Sequence, residues 1–524
     1  MKKIKSAVFL VILGTIMFIL CVPAFADVGD FGFFGGISAG RKLPKTTELL
    51  LEKQGNKKDD DELEAVYKEK IFLTGVPVTF EGLMTVENKQ KSKSSSKGDE
   101  KTADTFEITY KTSNLENTTD PDNTISRNIK YTVNYRKEGN QVIKDYEIDE
   151  FGDWKETVTV GGAVYTLNGR ESESNISVIE SHTPGVTYYK GDISHKAVYT
   201  NEGNKVIWEL SGTFYGYSSA WSSTETHRID GTVSTDSWQM QYQIRPSVSV
   251  GKTLQYSENE PTAISFSGNY REVMQNRSGL SYNIYSMPMG NTYNVPTEGN
   301  DSIDTFNTFE QLIAPDLGFL KGHFAEGDIK KLFAMQILDG EPKYYQPSQS
   351  ITRGQFVSML VKAVKIPVED DTSTKKKSSK KNAETVNIVF PDVTQDRPDY
   401  KYIMAAYKNG LAVGRDNGHF YTDSPIERQE AIVILLRTLG LENLGLEPTS
   451  ITPFTDDKYI ASWAAKEVYA AARLGIIAGD SDGNFRPKSY VSKAEAAAFV
   501  NRLVTYMRSD LLTDYTEHIV NYAN

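Results

Sequence analysis

Cysteine is almost missing from this chain. Its 524 residues contain one, Cys21, and that one falls inside a leader-like segment. Lys2, Lys3 and Lys5 form a basic start, residues 7–22 are apolar, and Ala24-Phe25-Ala26 precedes Asp27 as a small-residue cleavage signal. The apolar run of about 16 residues is short for a membrane span. Phe18-Ile19-Leu20 before Cys21 are too bulky for a lipidation signal. A signal peptide over 1–26 is therefore expected, and the mature chain would have no disulfide, no thiolate metal site and no cysteine nucleophile. Positive charge is also in deficit. The sequence has 58 Lys and Arg against 69 Asp and Glu, net −11, and losing the three leader lysines takes it to −14. That balance argues against a nucleic-acid partner. A mean hydropathy of −0.44 argues against a membrane bundle, so no span is expected once the leader is gone.

Catalytic motifs are equally scarce. The six histidines, His182, His195, His227, His323, His419 and His518, include no ligand-spaced pair. Each reads as a surface or packing residue. There is no Gly-x-Ser-x-Gly elbow and no phosphate loop. The turn at 480–484 lacks the glycine and closing glutamate of a calcium loop. Neither a metal nor a cofactor is expected. Paired glycosidase carboxylates stay open, because their pairing is spatial. The aromatic run Phe214, Tyr215, Tyr217 with Trp221 reads as core rather than as a sugar platform.

What the chain does have is β-pattern over residues 71–300. Ile129, Tyr131, Val133 and Tyr135 alternate with polar residues, as do Trp238, Met240, Tyr242 and Ile244. Residues 158–164 read as a tight hairpin across Gly161-Gly162. A weak echo between residues 135–143 and 199–207 is explained by shared turn chemistry. The Gly- and Phe-rich stretch 27–40 suggests a flexible or edge-strand start, and 47–51 and 62–69 suggest short helices. Lys/Ser-rich stretches at 87–103 and 369–384 read as solvated insertions. The expected fold is multidomain α+β. A mostly antiparallel all-β domain (sandwich, barrel or meander) over 27–305 leads into a helical module with the boundary between Asn294 and Thr308.

That module repeats itself. Aligned on Gly340, Gly414 and Gly479, three copies stay in phase through an aromatic slot (Tyr345, Phe420, Phe485) to a five-residue motif. The motif reads Ile351-Thr352-Arg353-Gly354-Gln355, Ile426-Glu427-Arg428-Gln429-Glu430 and Val491-Ser492-Lys493-Ala494-Glu495. Thr352 with Gln355 and Ser492 with Glu495 are capping boxes, so each motif opens a helix. All three copies put a cation, Arg353, Arg428 or Lys493, where a helix prefers an acid. The local field disfavours that placement, and with free helix N–H groups it makes an anion site.

The copies resemble S-layer homology repeats of bacterial surface proteins, through the Trp463-Ala464 start, Gly475-Ile476-x-x-Gly479, Asp482-Gly483-x-Phe485-x-Pro487 and the capped motif. Divided by that resemblance, repeat one spans 306–368, the insertion 369–384, repeat two 385–446, repeat three 447–508, and a tail 509–524. The resemblance implies a pseudo-threefold assembly whose grooves hold secondary cell-wall polysaccharide, often pyruvylated or otherwise anionic. It also implies self-association in a surface layer. The glycan-binding candidates it carries over are Thr352, Arg353, Arg428, Ser492, Lys493, Trp463, Gly340, Gly414 and Gly479. Copy two departs from the pattern with Glu427 at the hydroxyl slot, and Phe324 and Pro398 stand where Trp463 does. Grooves using Arg353 and Lys493 are thus expected to outrank the one using Arg428. The leading reading is a secreted, non-catalytic protein anchored to the wall and displaying its β domain. One alternative is a wall-anchored carbohydrate-active enzyme with its site in the β domain; another is a vestigial scaffold that binds no glycan.

Overall fold

The computed structural model describes residues 32–39, 62–90, 104–257, 269–286, 297–368 without 304 and 306, 389–441 without 416 and 417, and 451–515. The leader, the helix expected at 47–51, most of the first Lys/Ser stretch and all of the second lie outside these.

Sixteen strands form one antiparallel sheet that follows chain order almost throughout. The first six are β1 (Ile37–Ala39), β2 (Glu62–Ile71), β3 (Val78–Gln90), β4 (Asp104–Glu116), β5 (Thr124–Glu138) and β6 (Gln141–Glu147). A side hairpin, β7 (Trp154–Val160) and β8 (Ala163–Leu167), comes next, followed by β9 (Glu173–His182). The long strands are β10 (Val186–Asn201), β11 (Asn204–Ser219), β12 (Ser222–Ser234), β13 (Gln239–Ser257) and β14 (Asn269–Ser286); β15 (Glu298–Ser302) and β16 (Thr308–Ile313) both pair with β14. The sheet rolls until its ends meet. Lys70 of β2 pairs with Asp301 of β15 at 2.7 Å, Lys68 donates to the Ser302 carbonyl, and the Ser278 hydroxyl of β14 donates to the Ser38 carbonyl of β1. The β region is thus a closed barrel rather than a sandwich.

Strand periodicity decides which face is inside. On β5, Ile125, Ile129, Tyr131 and Val133 are buried, while Ser126 and Asn128 are exposed and Lys130, Thr132 and Asn134 half-buried. An apolar interior and a polar outside are the reverse of a lipid-facing barrel. Gly161 and Gly162 both take positive φ (58° and 79°), the two-residue hairpin their sequence signals. The echo at 135–143 and 199–207 does not survive in register. The first turn uses Gly139-Asn140 and the second Glu202-Gly203, one position apart in that alignment. Phe214, Tyr217 and Trp221 are buried core residues.

Two expectations fail. Residues 62–69 are not helical but belong to β2, because Ala65, Tyr67, Glu69 and Ile71 alternate inward. The sheet also runs past 305 to Ile313, so β16 falls within the range assigned to the first repeat.

A polar chain threads the barrel core. The Tyr131 hydroxyl bonds Ser174 at 2.6 Å, Ser174 bonds His195 Nδ1 at 2.7 Å, and His195 Nε2 donates to the Phe33 carbonyl at 2.7 Å. Burial pulls the imidazole down to about 4. On acidification the unfolded chain therefore binds this proton first. The stabilisation is complete above pH 6.5 and lost as pH falls from 6.5 through 4, roughly 3 kcal/mol for this group. Urea midpoints between pH 7 and 4 should show that slope, and His195→Gln should flatten it.

The helical module contributes α1 (Glu326–Ala334), α2 (Arg353–Ala363), α3 (Tyr400–Lys408), α4 (Arg428–Arg437), α5 (Ala465–Arg473), α6 (Lys493–Thr505) and the short α7 (Leu511–Asp514). Its packing is cyclic. The second helix of each repeat lies on the first helix of the next, α2 on α3, α4 on α5 and α6 on α1. Gly410 and Gly475 end α3 and α5 at φ 71° and 68°, whereas the same position in repeat one is Gln336 at φ 57°. Gln336→Gly should relieve this left-handed strain and raise stability by about 1 kcal/mol, read as a higher melting temperature.

Candidate functional site

The three motifs meet at the centre of the ring. Val491 N–H donates to the Ile426 carbonyl at 3.0 Å, Ile426 N–H to Ile351 at 3.3 Å, and Ile351 N–H to Val491 at 2.8 Å. The cycle repeats one residue into each helix. Arg353, Arg428 and Lys493 donate their N–H groups to Ser424, Ser489 and Gln349. The next N–H groups, of Gly354, Gln429 and Ala494, reach Thr422, Pro487 and Pro347. In repeats one and three the third N–H is taken by Thr352 or Ser492, in complete capping boxes. Glu427, as its sequence implied, makes no side-chain cap. This corrects the expectation of an anion on free helix N–H groups. The carbonyls of the neighbouring repeat already occupy the first two in every copy.

The side chains follow the same cycle, unequally. Arg353 is 4% exposed and pairs with Glu430, and its Nη2 donates to the Val413 carbonyl at 2.7 Å. Arg428 donates from Nη1 to Glu495 at 2.7 Å and from Nε to the Phe485 carbonyl at 2.8 Å. Each guanidinium lies over an aromatic ring, Arg353 on Phe420 and Arg428 on Phe485. Burial lowers both, with the partner carboxylate opposing it. Glu430 and Glu495 are the fifth residues of their own motifs and the third of their helices, so one repeat's acid takes the previous repeat's arginine. In repeat one that position is Gln355, a neutral amide. Among the described residues, the Lys493 ammonium makes no hydrogen bond or ion pair, and partial burial lowers it with no acid to oppose.

The junctions therefore differ in charge. Between repeats two and three, Arg428 is neutralised by Glu495. Between one and two, Glu430 also receives Arg415, whose Nε lies 3.0 Å from Oε1, and Glu427 acts on Arg415 as a second acid. Between three and one, Lys493 stands without a carboxylate. Sequence reasoning missed Arg415 because it aligns with Asp480 and Glu341 and so looked like ordinary variation in the turn.

The aromatic candidates sit at the heads of the first helices. Trp463 precedes α5 and is 55% exposed, and Phe324 precedes α1 and is 71% exposed. Of the aligned glycines, Gly414 and Gly479 are packing positions and Gly340 a backbone one. A Cβ would meet the Phe390 ring at 3.0 Å from Gly414 and the Gly483 backbone at 3.0 Å from Gly479, and Gly340 holds φ 89°.

Among the described residues no group of three potential metal ligands occurs, and no helix is long and apolar enough to cross a membrane. The S-layer homology domain profile matches residues 320–357, 389–432 and 453–497. An exoglucanase of Acetivibrio thermocellus is 32% identical over 192 residues, 35% of this chain and 16% of that protein. An amylopullulanase of Thermoanaerobacterium thermosulfurigenes is 30% identical over 35% of this chain and 9% of its own. The S-layer protein EA1 of Bacillus anthracis is 28% identical over 34% and 19%. The chain thus spans less than a fifth of each of these relatives, and the matches stay within the repeat region. Three tandem S-layer homology domains make up the C-terminal module, and the chain is a secreted cell-surface protein.

Proposed function

We propose that the protein is a non-catalytic surface component held non-covalently on an anionic secondary cell-wall polysaccharide, with the barrel displayed outward. The observation that carries this reading is Lys493, a partly buried ammonium facing the one junction whose capping-box residue is an amide. A carboxylate on the glycan would supply the charge that Glu430 and Glu495 supply elsewhere. Phe324, heading the helix on which α6 packs, offers an exposed face for a sugar ring beside it. Arg415 makes the junction between repeats one and two a second seat, and the neutralised Arg428 junction is the weakest. A pyruvylated sugar is the ligand these cations fit best.

Among the described residues, the carboxylates Glu69 and Glu156 inside the barrel are bound to Arg127 rather than converging on open space. The matches to glycan-degrading relatives lie in the repeats and carry no activity to the barrel.

The test is binding of the full mature chain to purified wall polysaccharide. Lys493→Glu should weaken it by about 10–100-fold, the scale of one charge-assisted hydrogen bond. Gln355→Glu should weaken it similarly by pairing Lys493 internally, while keeping the capping box and leaving the melting temperature at or above the wild-type value. Wild-type affinity in both variants would remove Lys493 from the site.

A further inference from the structure

The barrel is completed by a short segment of chain that a long connection joins to the next strand. Residues 32–38 are buried throughout, and Phe33 and Phe34 sit at the centre of the barrel's aromatic cluster. Phe33 lies 5.7 Å from the Tyr146 ring and 5.6 Å from Phe214. Phe34 stacks on His195 at 5.2 Å and carries the Arg127 guanidinium at 4.3 Å. A Cβ on Gly32 would meet the His227 ring at 2.1 Å, and one on Gly36 the Tyr67 hydroxyl at 2.2 Å, so the segment fits its seat closely.

Its attachment is long. Ala39 pairs with Val66 as antiparallel neighbours, a junction that usually needs two to five residues. Yet 40–61, 22 residues, separate β1 from β2. Twenty-two residues reach at most about 70 Å, enough to span to a neighbouring molecule. The seat also has a weak seam. Pro246 has no N–H to donate, and the β12–β13 ladder is interrupted between Thr226 and Ile229. There the Ser38 hydroxyl and His227 Nδ1, both buried and without partners, line one small cavity.

We propose that residues 32–39 are an exchangeable plug, and that the partner this seat accepts is the same segment of a second copy of the chain. Copies would then join by swapping a core element, with no new surface required. This inference is independent of the wall-binding reading, and its tests contain no glycan.

Two measurements on the full mature chain decide it. Refolded from denaturant at rising concentration, the wild type should yield a rising fraction of dimer by light scattering. The doubly substituted chain, Phe33→Asp with Phe34→Asp, should yield no dimer with itself and should bind a peptide of residues 27–40 saturably and with a raised melting temperature. A peptide carrying both Asp substitutions should bind on the order of 100–10,000-fold more weakly, the scale of burying two phenyl rings. If the substituted chain does not fold alone, refolding it with the wild-type peptide should recover it. Wild-type monomer at every refolding concentration, a substituted chain as stable as wild type, or no capture and no recovery by the peptide would each overturn the proposal.

Discussion

Arg127→Met is expected to destabilise the barrel by about 3–5 kcal/mol, the cost of stripping a buried charge network of its centre. Arg127 has no exposed side-chain surface. It grips Glu156 with two bonds, Nε at 2.8 Å and Nη2 at 2.9 Å, and donates from Nη1 to Glu69 at 2.8 Å. Tyr67 donates to Glu69, and Tyr199 and Trp154 donate to Glu156. Without the guanidinium, two carboxylates remain in a dry interior that can accommodate them only by protonation. Lysine should not rescue, because an ammonium cannot make the bidentate contact and reach Glu69 together. Replacing the triad by Arg127→Met, Glu69→Gln and Glu156→Gln should recover much of the loss, since the new amide at 156 can accept from Trp154 through its oxygen and donate its NH2 to the Tyr199 hydroxyl, and the one at 69 can still accept from Tyr67. Urea unfolding measures all three. An Arg127→Met variant within 1 kcal/mol of wild type would show that the network contributes little.

That network also explains why one strand was illegible. In residues 62–71 the repeated Glu and Lys suggest a short helix, and the inward position of Glu69 breaks an alternating reading. Its partner lies 58 residues away, so no local pattern could justify a buried acid there. Where the inward residues are uniformly apolar, as at Ile129, Tyr131 and Val133, alternation suffices, and Gly161-Gly162 announces its own turn. The repeats were legible because three copies share one phase. Their charge pattern was half legible. The cations at the helix starts stand out against the helix dipole, but the acids that answer two of them belong to the next repeat in space. Gln355 is a conservative capping residue by sequence and a missing countercharge once the ring is closed.

Least legible was how the two halves join, and Trp221→Ala tests that. Trp221 is fully buried at the turn between β11 and β12, and its indole N–H donates to the Ala363 carbonyl, in the last turn of α2, at 2.7 Å. Arg508, Lys365 and Lys252 lie 4.4, 4.9 and 5.6 Å from its ring. Glu272 pairs with Lys252 at 3.1 Å and Arg508 at 3.3 Å. Around it, Tyr217 and Leu312 of the sheet share one core with Phe356, Leu360 and Met507 of the helices. Past the last repeat, the Tyr515 hydroxyl donates to the Gly216 carbonyl at 2.9 Å. Truncating the indole removes about 3–5 kcal/mol of packing where the end of the sheet joins the helical core, while the barrel keeps a second core of its own. The loss should fall on the coupling of the two halves rather than on either core. Calorimetry should show the wild type unfolding in one transition and Trp221→Ala in two, with the split created by the lower-melting half. A single transition shifted as a whole would mean that the halves do not unfold separately, and an unshifted one would mean that Trp221 holds nothing together.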